Sequence, residues 1–217
     1  MKVFRSWLLL AIIYGSFVLW YTDLGGKLNS DEIESYLVKM KENREALRFS
    51  SSKEKQASND QSRIIERFMR KDSGRQFFVV NNIDMSDNPQ DVEGAQPGED
   101  ADQLMDRYME HMYAELFKRA SHPVFIGNTA GQAIDIVGIE SAEDWDSSVL
   151  VRYKSRRAFM EIVSNPKMFG KHEFKIAALN KTIAYPVEAV VYLSDPRFLL
   201  GLILLIIGLI AQLRIKK

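Results

Sequence analysis

The 217-residue chain contains no cysteine. This absence excludes disulfide bonds, thiolate nucleophiles and thiolate metal sites. Histidine is scarce as well, and a three-histidine metal centre would need all 3 of these residues. Neither sign of charge dominates, because 29 Lys and Arg residues balance 29 Asp and Glu residues. A neutral chain has no global field that attracts nucleic acid, so we expect no nucleic-acid partner.

Motifs of common enzyme classes are also missing. The sequence holds neither a glycine-rich nucleotide-binding loop nor a nucleophile elbow. His111, Glu110 and Glu115 share one predicted helix, but a single histidine does not make the H-E-x-x-H zinc motif. We therefore expect no cofactor and no metal. These absences leave open whether the protein is an enzyme.

The chain does contain a long apolar run near each end. Residues 6–22 and residues 198–213 carry no charged side chain. With its flanks, each run is long enough to cross a hydrocarbon core of about 30 Å as a helix. Asp195 is placed as the N-cap of the second helix and Pro196 as its first residue. The first run could be a cleavable signal peptide, but no small-x-small pair follows it, which favours an uncleaved anchor.

Basic residues flank both runs on their outer sides: Lys2, Arg5, Arg214, Lys216 and Lys217. The positive-inside rule therefore predicts a two-pass protein of the inner (plasma) membrane with cytoplasmic termini and an extracytoplasmic, periplasmic central domain. The lipid bilayer is the first expected partner, and another membrane protein is a second. Gly201 and Gly208 could admit a close neighbouring helix or face lipid, and we favour lipid.

The sequence divides into four segments: an N-terminal anchor (1–25), a helical accessory segment (26–71), a globular domain (72–190) and a C-terminal transmembrane helix with a basic tail (195–217). In the accessory segment, Ile33, Tyr36 and Met40 recur at helical spacing. The polar residues 50–62 predict a flexible link, and a second helix follows it.

The globular domain alternates predicted strands and helices. We expect strands over 77–85, 124–126, 133–139, 145–153 and 182–187, and helices from 101, over 155–163 and over 172–179. This strand-helix-strand, strand-helix-strand order is the split βαβ pattern, so the predicted fold class is α+β, ferredoxin-like. Helices cover only one face of such a sheet. The other face commonly pairs with a second copy, which predicts a homodimer through the sheet.

Three stretches, residues 72–83, 145–159 and 165–186, resemble small domains of the dimeric α/β-barrel superfamily, in a family of unknown function. In that family an Asp-Gly-x-Pro-Phe turn leads into a strand, as Asp72-Ser73-Gly74-Arg75-Gln76-Phe77 does here. The resemblance implies a ferredoxin-like domain that pairs into a dimeric α/β barrel. Gln76 replaces the usual proline, and Lys175 replaces an expected arginine. The wider superfamily includes cofactor-free monooxygenases, haem-handling enzymes, dehalogenation-pathway proteins and modules with no known reaction.

Polar residues near predicted strand ends and helix starts are the candidate catalytic residues: His122, Arg152, Tyr153 and His172. A histidine with an arginine and a tyrosine can move a proton from a phenol or enol and stabilise the anion that forms. Ordinary structural roles compete with this interpretation. Either histidine can cap a helix or face solvent, and Arg152 can form surface ion pairs.

Two functions follow as alternatives. The sequence favours a membrane-tethered dimerisation or protein-interaction module without catalysis, because it lacks an active-site signature. The alternative is a cofactor-independent enzyme or binder that acts on a small apolar or phenolic compound at the membrane surface.

Overall fold

The computed structural model describes residues 2–46 and 52–215. The chain forms two compact units, Gly25–Glu188 and the paired terminal segments Met1–Leu24 and Ala189–Lys217. In chain order the elements are α1 (Lys2–Tyr21), α2 (Ser30–Ala46), α3 (Ser52–Arg70), β1 (Phe77–Met85), α4 (Ala101–Lys118), β2 (His122–Asn128), β3 (Ser147–Tyr153), α5 (Arg156–Val163), α6 (Pro166–Phe169), α7 (His172–Ala177), β4 (Leu179–Val187) and α8 (Pro196–Ile215).

The four strands form one antiparallel sheet in the order β2-β3-β1-β4. This order, with a helical crossover after β1 and another after β3, is the ferredoxin-like topology and confirms the predicted fold class. Side chains alternate between the two faces of each strand. The face that carries Phe77 packs on the helices, where Phe77, Met112, Leu116 and Ile162 form a buried cluster.

Local capping signals set where the helices of this domain begin. Asp100 and Gln103 form a reciprocal capping box at the start of α4, with hydrogen bonds of 2.8 and 2.9 Å. The Ser155 hydroxyl accepts from the Ala158 amide and starts α5, as its sequence position predicts. These caps satisfy amide groups that would otherwise lack partners.

The accessory helices α2 and α3 pack on α5. Ile33, Met40, Met69 and Met160 form their buried cluster. Helix α3 begins at Ser52, so the flexible link predicted over 50–62 is helical from Ser52 onward. This segment lacks apolar residues at helical spacing, but it is rich in Lys, Glu, Gln and Ala. The high helix propensity of these residues explains why it is helical. Ser50 and Ser51 lie outside the described residues.

The predicted strand over 133–139 is wrong, because residues 129–146 form a long loop between β2 and β3. Ile134 is fully exposed, and Gly138 adopts a φ of +74°. The Ala133 amide bonds the Glu143 carbonyl at 2.8 Å, which closes the loop on itself. β2 is an edge strand of the sheet, but residues 133–139 do not pair with its outer side.

Gly74→Ala is expected to destabilise the domain strongly. Gly74 has a φ of +74°, and a Cβ there would lie 3.0 Å from the Lys27 amide nitrogen. The left-handed conformation costs about 1–2 kcal/mol, and overlap with backbone adds about 1–3 kcal/mol. Gly98→Ala is the matched control, because Gly98 has a φ of +80° but open space around it. Thermal unfolding of the full chain in mild detergent measures both variants, and equal losses would contradict the steric argument.

The terminal unit is an antiparallel pair of helices. Trp7 donates to Gln212 at 3.2 Å near one end, and Arg197 donates to Thr22 at 3.0 Å near the other. Gly208 faces the Trp7 indole of α1.

Gly201 likewise faces the Tyr14 ring of α1. The prediction that both glycines face lipid is therefore wrong, since each makes room for an aromatic ring of α1.

Both terminal helices are long and apolar enough to cross a membrane. Asp195 accepts from the Arg197 amide at 2.9 Å, so the predicted cap and first residue of α8 are confirmed. In the most apolar 18-residue window of each span, no residue of α1 and only 6% of α8 is buried, whereas Tyr21 at the end of α1 is 1% exposed. Their apolar side chains therefore face outward.

Candidate functional site

A large cavity lies between the sheet and the helices of the ferredoxin-like domain. Its volume is about 1230 Å³. This exceeds the roughly 300–1,000 Å³ of typical ligand pockets. Helices α4, α5 and α7 contribute to the walls opposite the sheet, and α3 adds residues at one side. The accessory helix α2 also contributes Met40 and Arg44, so the cavity is built mainly, but not wholly, from elements of the βαββαβ core.

The floor of the cavity is the helix-side face of the sheet. Val79 pairs with Val151 and Asn81 with Val149 across β1 and β3, so these four side chains share that face. Val79, Val149 and Val151 are only half-buried although they point inward. Neighbouring side chains leave them uncovered, because the helices stand off the sheet here.

The opposite wall is rich in methionine. Met105, Met109 and Met112 recur along α4 at helical spacing and line the cavity. Methionine side chains are flexible and polarizable, so they adapt to apolar partners of different shapes. The combination of valines and methionines makes most of the surface apolar.

Four polar lining residues lie close together, and we call Asn81, Tyr108, His172 and Lys175 the polar cluster. The Lys175 ammonium lies 3.4 Å from the Asn81 side-chain oxygen and 5.9 Å from the centre of the Tyr108 ring. The His172 ring meets the Tyr108 ring edge-on, with 6.1 Å between centroids. His172 and Lys175 are three residues apart on α7, which places them on one face of that helix.

Desolvation governs the electrostatics of the polar cluster. Burial, and secondarily the positive charge of Lys175, lower the pKa of His172 to about 4. The residue as a whole is nevertheless exposed, because the cavity that the His172 ring borders is open to solvent. Burial also lowers the pKa of Lys175 and raises the pKa of Tyr108 to about 12. Such shifts in a cleft mark a candidate functional site.

Two of the four predicted catalytic residues line this cavity, namely His172 and Tyr153. Tyr153 is 6% exposed, stacks on Phe77 at 5.3 Å and meets Phe159 edge-on at 5.0 Å. Burial, and secondarily the nearby Tyr108, raise the pKa of Tyr153. The hydroxyls of Tyr108 and Tyr153 make no hydrogen bond with other residues in the described part of the chain.

The other two predicted residues, Arg152 and His122, face the opposite side of the sheet. Consecutive strand residues point in opposite directions, so Arg152 cannot join Tyr153 in the cavity. The fully buried Arg152 donates to the Gln76 side chain at 2.8 Å and to the Ala120 carbonyl. His122 pairs with Arg152 across β2 and β3, and its Nδ1 lies 2.8 Å from the Pro123 carbonyl. The four residues therefore do not converge on one site.

Sequence reasoning did not place Lys175 and Tyr108 in a site. Tyr108 belongs to the apolar stripe of α4, and Lys175 stood out only as a departure from the resembled pattern. A usable signal was the spacing of His172 and Lys175 on a short helix that ends in the apolar residues 176–178. Asn81 gave a further signal, because a polar residue at an inward position of an apolar strand requires a polar neighbour.

Comparison with known proteins identifies no family. No protein-family model matches the chain, and no curated protein does. The crystal structure of RPA0582, a protein of unknown function from Rhodopseudomonas palustris, is 16% identical, covers 60% of this chain and 94% of its own, and has a TM-score of 0.49. The structure of methylated RPA0582 is 14% identical, covers 61% and 93%, and has a TM-score of 0.50.

A third solved structure is a dimeric protein of unknown function with a ferredoxin-like fold from Bacteroides fragilis NCTC 9343. It is 11% identical, covers 52% of this chain and 96% of its own, and has a TM-score of 0.31. Among the three, the methylated RPA0582 structure supports a shared fold and nothing further. The strand order of the sheet defines the central unit as a ferredoxin-like domain.

Proposed function

We propose that the protein is a membrane-anchored binding protein for a small, largely apolar molecule held in the cavity of its ferredoxin-like domain. The observation that carries this proposal is the cavity, with its volume of about 1230 Å³, its valine and methionine walls and its polar cluster. Ligand sites in proteins share this combination of apolar lining and a few polar groups.

The unfilled space in the cavity is itself an argument for a bound ligand. Protein interiors are normally close-packed, and atoms that line an empty apolar space lose their dispersion contacts. Val79 and Val151 border the aromatic cluster of Phe77 and Tyr153 yet remain partly uncovered. An apolar occupant would restore the missing contacts. This function corresponds to the binder among the two sequence-based alternatives.

Membrane attachment rests on the outward apolar surface of α1 and α8. Leu202, Ile203 and Ile206 of α8 are 45–53% exposed. Exposure of this apolar surface to water would cost free energy, whereas contact with lipid would not. An antiparallel pair puts both termini on one side, and the basic outer flanks favour the cytoplasm for that side. The domain would then lie outside the inner (plasma) membrane, with the bilayer as a reservoir of apolar ligands.

A second copy of the chain is a further proposed partner. Phe125, Ile183 and Tyr185 lie on the sheet face opposite the cavity and are 38–56% exposed. Pairing of this face would produce the dimeric α/β barrel and cover these side chains. Mass photometry of the full chain in nanodiscs is expected to give a dimer that Ile183→Lys with Tyr185→Lys converts to a monomer. A wild-type monomer would exclude this role.

Val149→Trp is expected to weaken binding of a neutral apolar probe, because the indole would project from the sheet into the cavity. The probe is 2-acetylnaphthalene, titrated by equilibrium dialysis against the full chain in lipid nanodiscs. Empty nanodiscs correct for partition into lipid. We expect saturable binding to the wild type and at least a tenfold loss of affinity, about 1.4 kcal/mol, in the variant.

Leu150→Trp is the matched control for this experiment. Leu150 follows Val149 on β3 and points to the other face of the sheet. The control is expected to bind the probe like the wild type. Equal losses in both variants, or no saturable binding by the wild type, would refute the proposed function.

A further inference from the structure

We propose that the cavity is specific for an amphiphile with a single carboxylate head group, which Lys175 binds while the valine and methionine walls hold the apolar tail. This inference rests on the proposed binding function and adds the chemical class of the ligand.

Lys175 is a cation without a counter-ion. Among the side chains that the structure describes, no carboxylate lies within ion-pair distance of its ammonium group, whose hydrogen-bond partner is the neutral Asn81 amide oxygen at 3.4 Å. Water compensates a lysine at the surface, but Lys175 is half-buried and the cavity walls replace part of its water shell. A ligand anion would supply the missing negative charge and form a charge-assisted hydrogen bond.

The protein's own acidic residues at the cavity do not serve this purpose. Asp102, Asp106, Asp146 and Glu173 border the cavity, and none forms an ion pair with Lys175. Asp146 instead accepts a hydrogen bond of 2.6 Å from the Met85 amide. The space beside Lys175 therefore stays open to an anion from outside the chain.

The neighbours of Lys175 suit an oxyanion. His172 is neutral near pH 7, because burial and Lys175 lower its pKa to about 4, so one ring nitrogen carries a proton that it can donate. The Tyr108 hydroxyl is a second donor that makes no hydrogen bond within the described residues. Within the polar cluster, the Lys175 cation and the neutral donors of His172 and Tyr108 suit a head group with one negative charge. Met105, Met109 and Val149 then lie along the path of the tail.

The test compares 2-naphthoate with 2-acetylnaphthalene, which have nearly the same shape but differ by one negative charge. Both are titrated against the full chain in nanodiscs of zwitterionic lipid. The wild type is expected to prefer 2-naphthoate by about 10- to 100-fold, the range of one hydrogen bond to a charged group. Lys175→Met is expected to remove this preference and to keep 2-acetylnaphthalene binding, which also shows that the variant is folded.

Two controls accompany the variant. Lys167→Met removes the charge of an exposed lysine on α6 and is expected to keep the preference. Lys175→Arg keeps the positive charge and is expected to retain most of the preference for 2-naphthoate. Equal affinity of the wild type for both probes would overturn the carboxylate inference while the binding function stands. Failure of both probes to bind would overturn the binding function itself, and a preference that survives in Lys175→Met would exclude Lys175 as the anion site.

Discussion

Asp72→Ala is expected to be among the most destabilising single substitutions in the domain, at about 3–5 kcal/mol. The buried Asp72 carboxylate accepts from the Leu28 amide at 2.8 Å and from the Gly74 amide at 3.0 Å. It also forms an ion pair at 3.4 Å with Arg156, which is 9% exposed. Alanine would leave two amides and part of a buried charge without compensation.

Thermal unfolding of the full chain in mild detergent measures this loss, and we expect the Tm to fall by roughly 10 °C. Asp91→Ala is the control, because Asp91 lies exposed in the loop between β1 and α4. Its effect should stay within about 0.5 kcal/mol. A Tm for Asp72→Ala that matches the control would show that Asp72 does not connect the accessory segment to the sheet.

Membrane topology is expected to give an all-or-none result in cysteine labelling. The chain contains no cysteine, so each introduced cysteine is the single reactive site. In intact cells, a membrane-impermeant maleimide should label Asp91→Cys in the central domain fully. It should label Lys217→Cys at the C-terminus only after the membrane is disrupted, because the basic flank holds that end in the cytoplasm.

The reverse labelling pattern would place the domain in the cytoplasm. Labelling of both sites in intact cells would refute a two-pass chain with a cytoplasmic C-terminus. The cysteine-free wild type serves as the blank in both conditions.

Elements with strong local signals could be predicted from the sequence. The predicted bounds of β1 match the structure, because Gly74 precedes the strand and a polar loop follows it. The start of α5 follows from Ser155, since a side-chain cap acts within one turn, whereas α6 after Asn165 was not predicted. The strand predicted over 133–139 failed because strand propensity describes fit to a sheet, and this segment instead closes on its own loop through the hydrogen bond between Ala133 and Glu143.

Which residues come together at the candidate site depends on the tertiary structure. The sequence places Arg152 and Tyr153 side by side, but the alternation of β3 sends them to opposite faces of the sheet. Only the packing of α7 over β1 brings Lys175 to Asn81, which is 94 residues away in the chain. Similarly, the neighbours of Gly201 became clear only from the pairing of α8 with α1.

The most direct test of the central claim is an NMR measurement on the full chain in nanodiscs with 13C-labelled Val and Leu methyl groups. On addition of 2-acetylnaphthalene, the account predicts nuclear Overhauser effects from the probe to the methyl groups of Val79, Val149 and Val151. Val80 and Leu150, on the other face of the same strands, should show none. Contacts confined to the methyl groups of α1 and α8, as lipid partition alone would give, would contradict a ligand site in the ferredoxin-like domain.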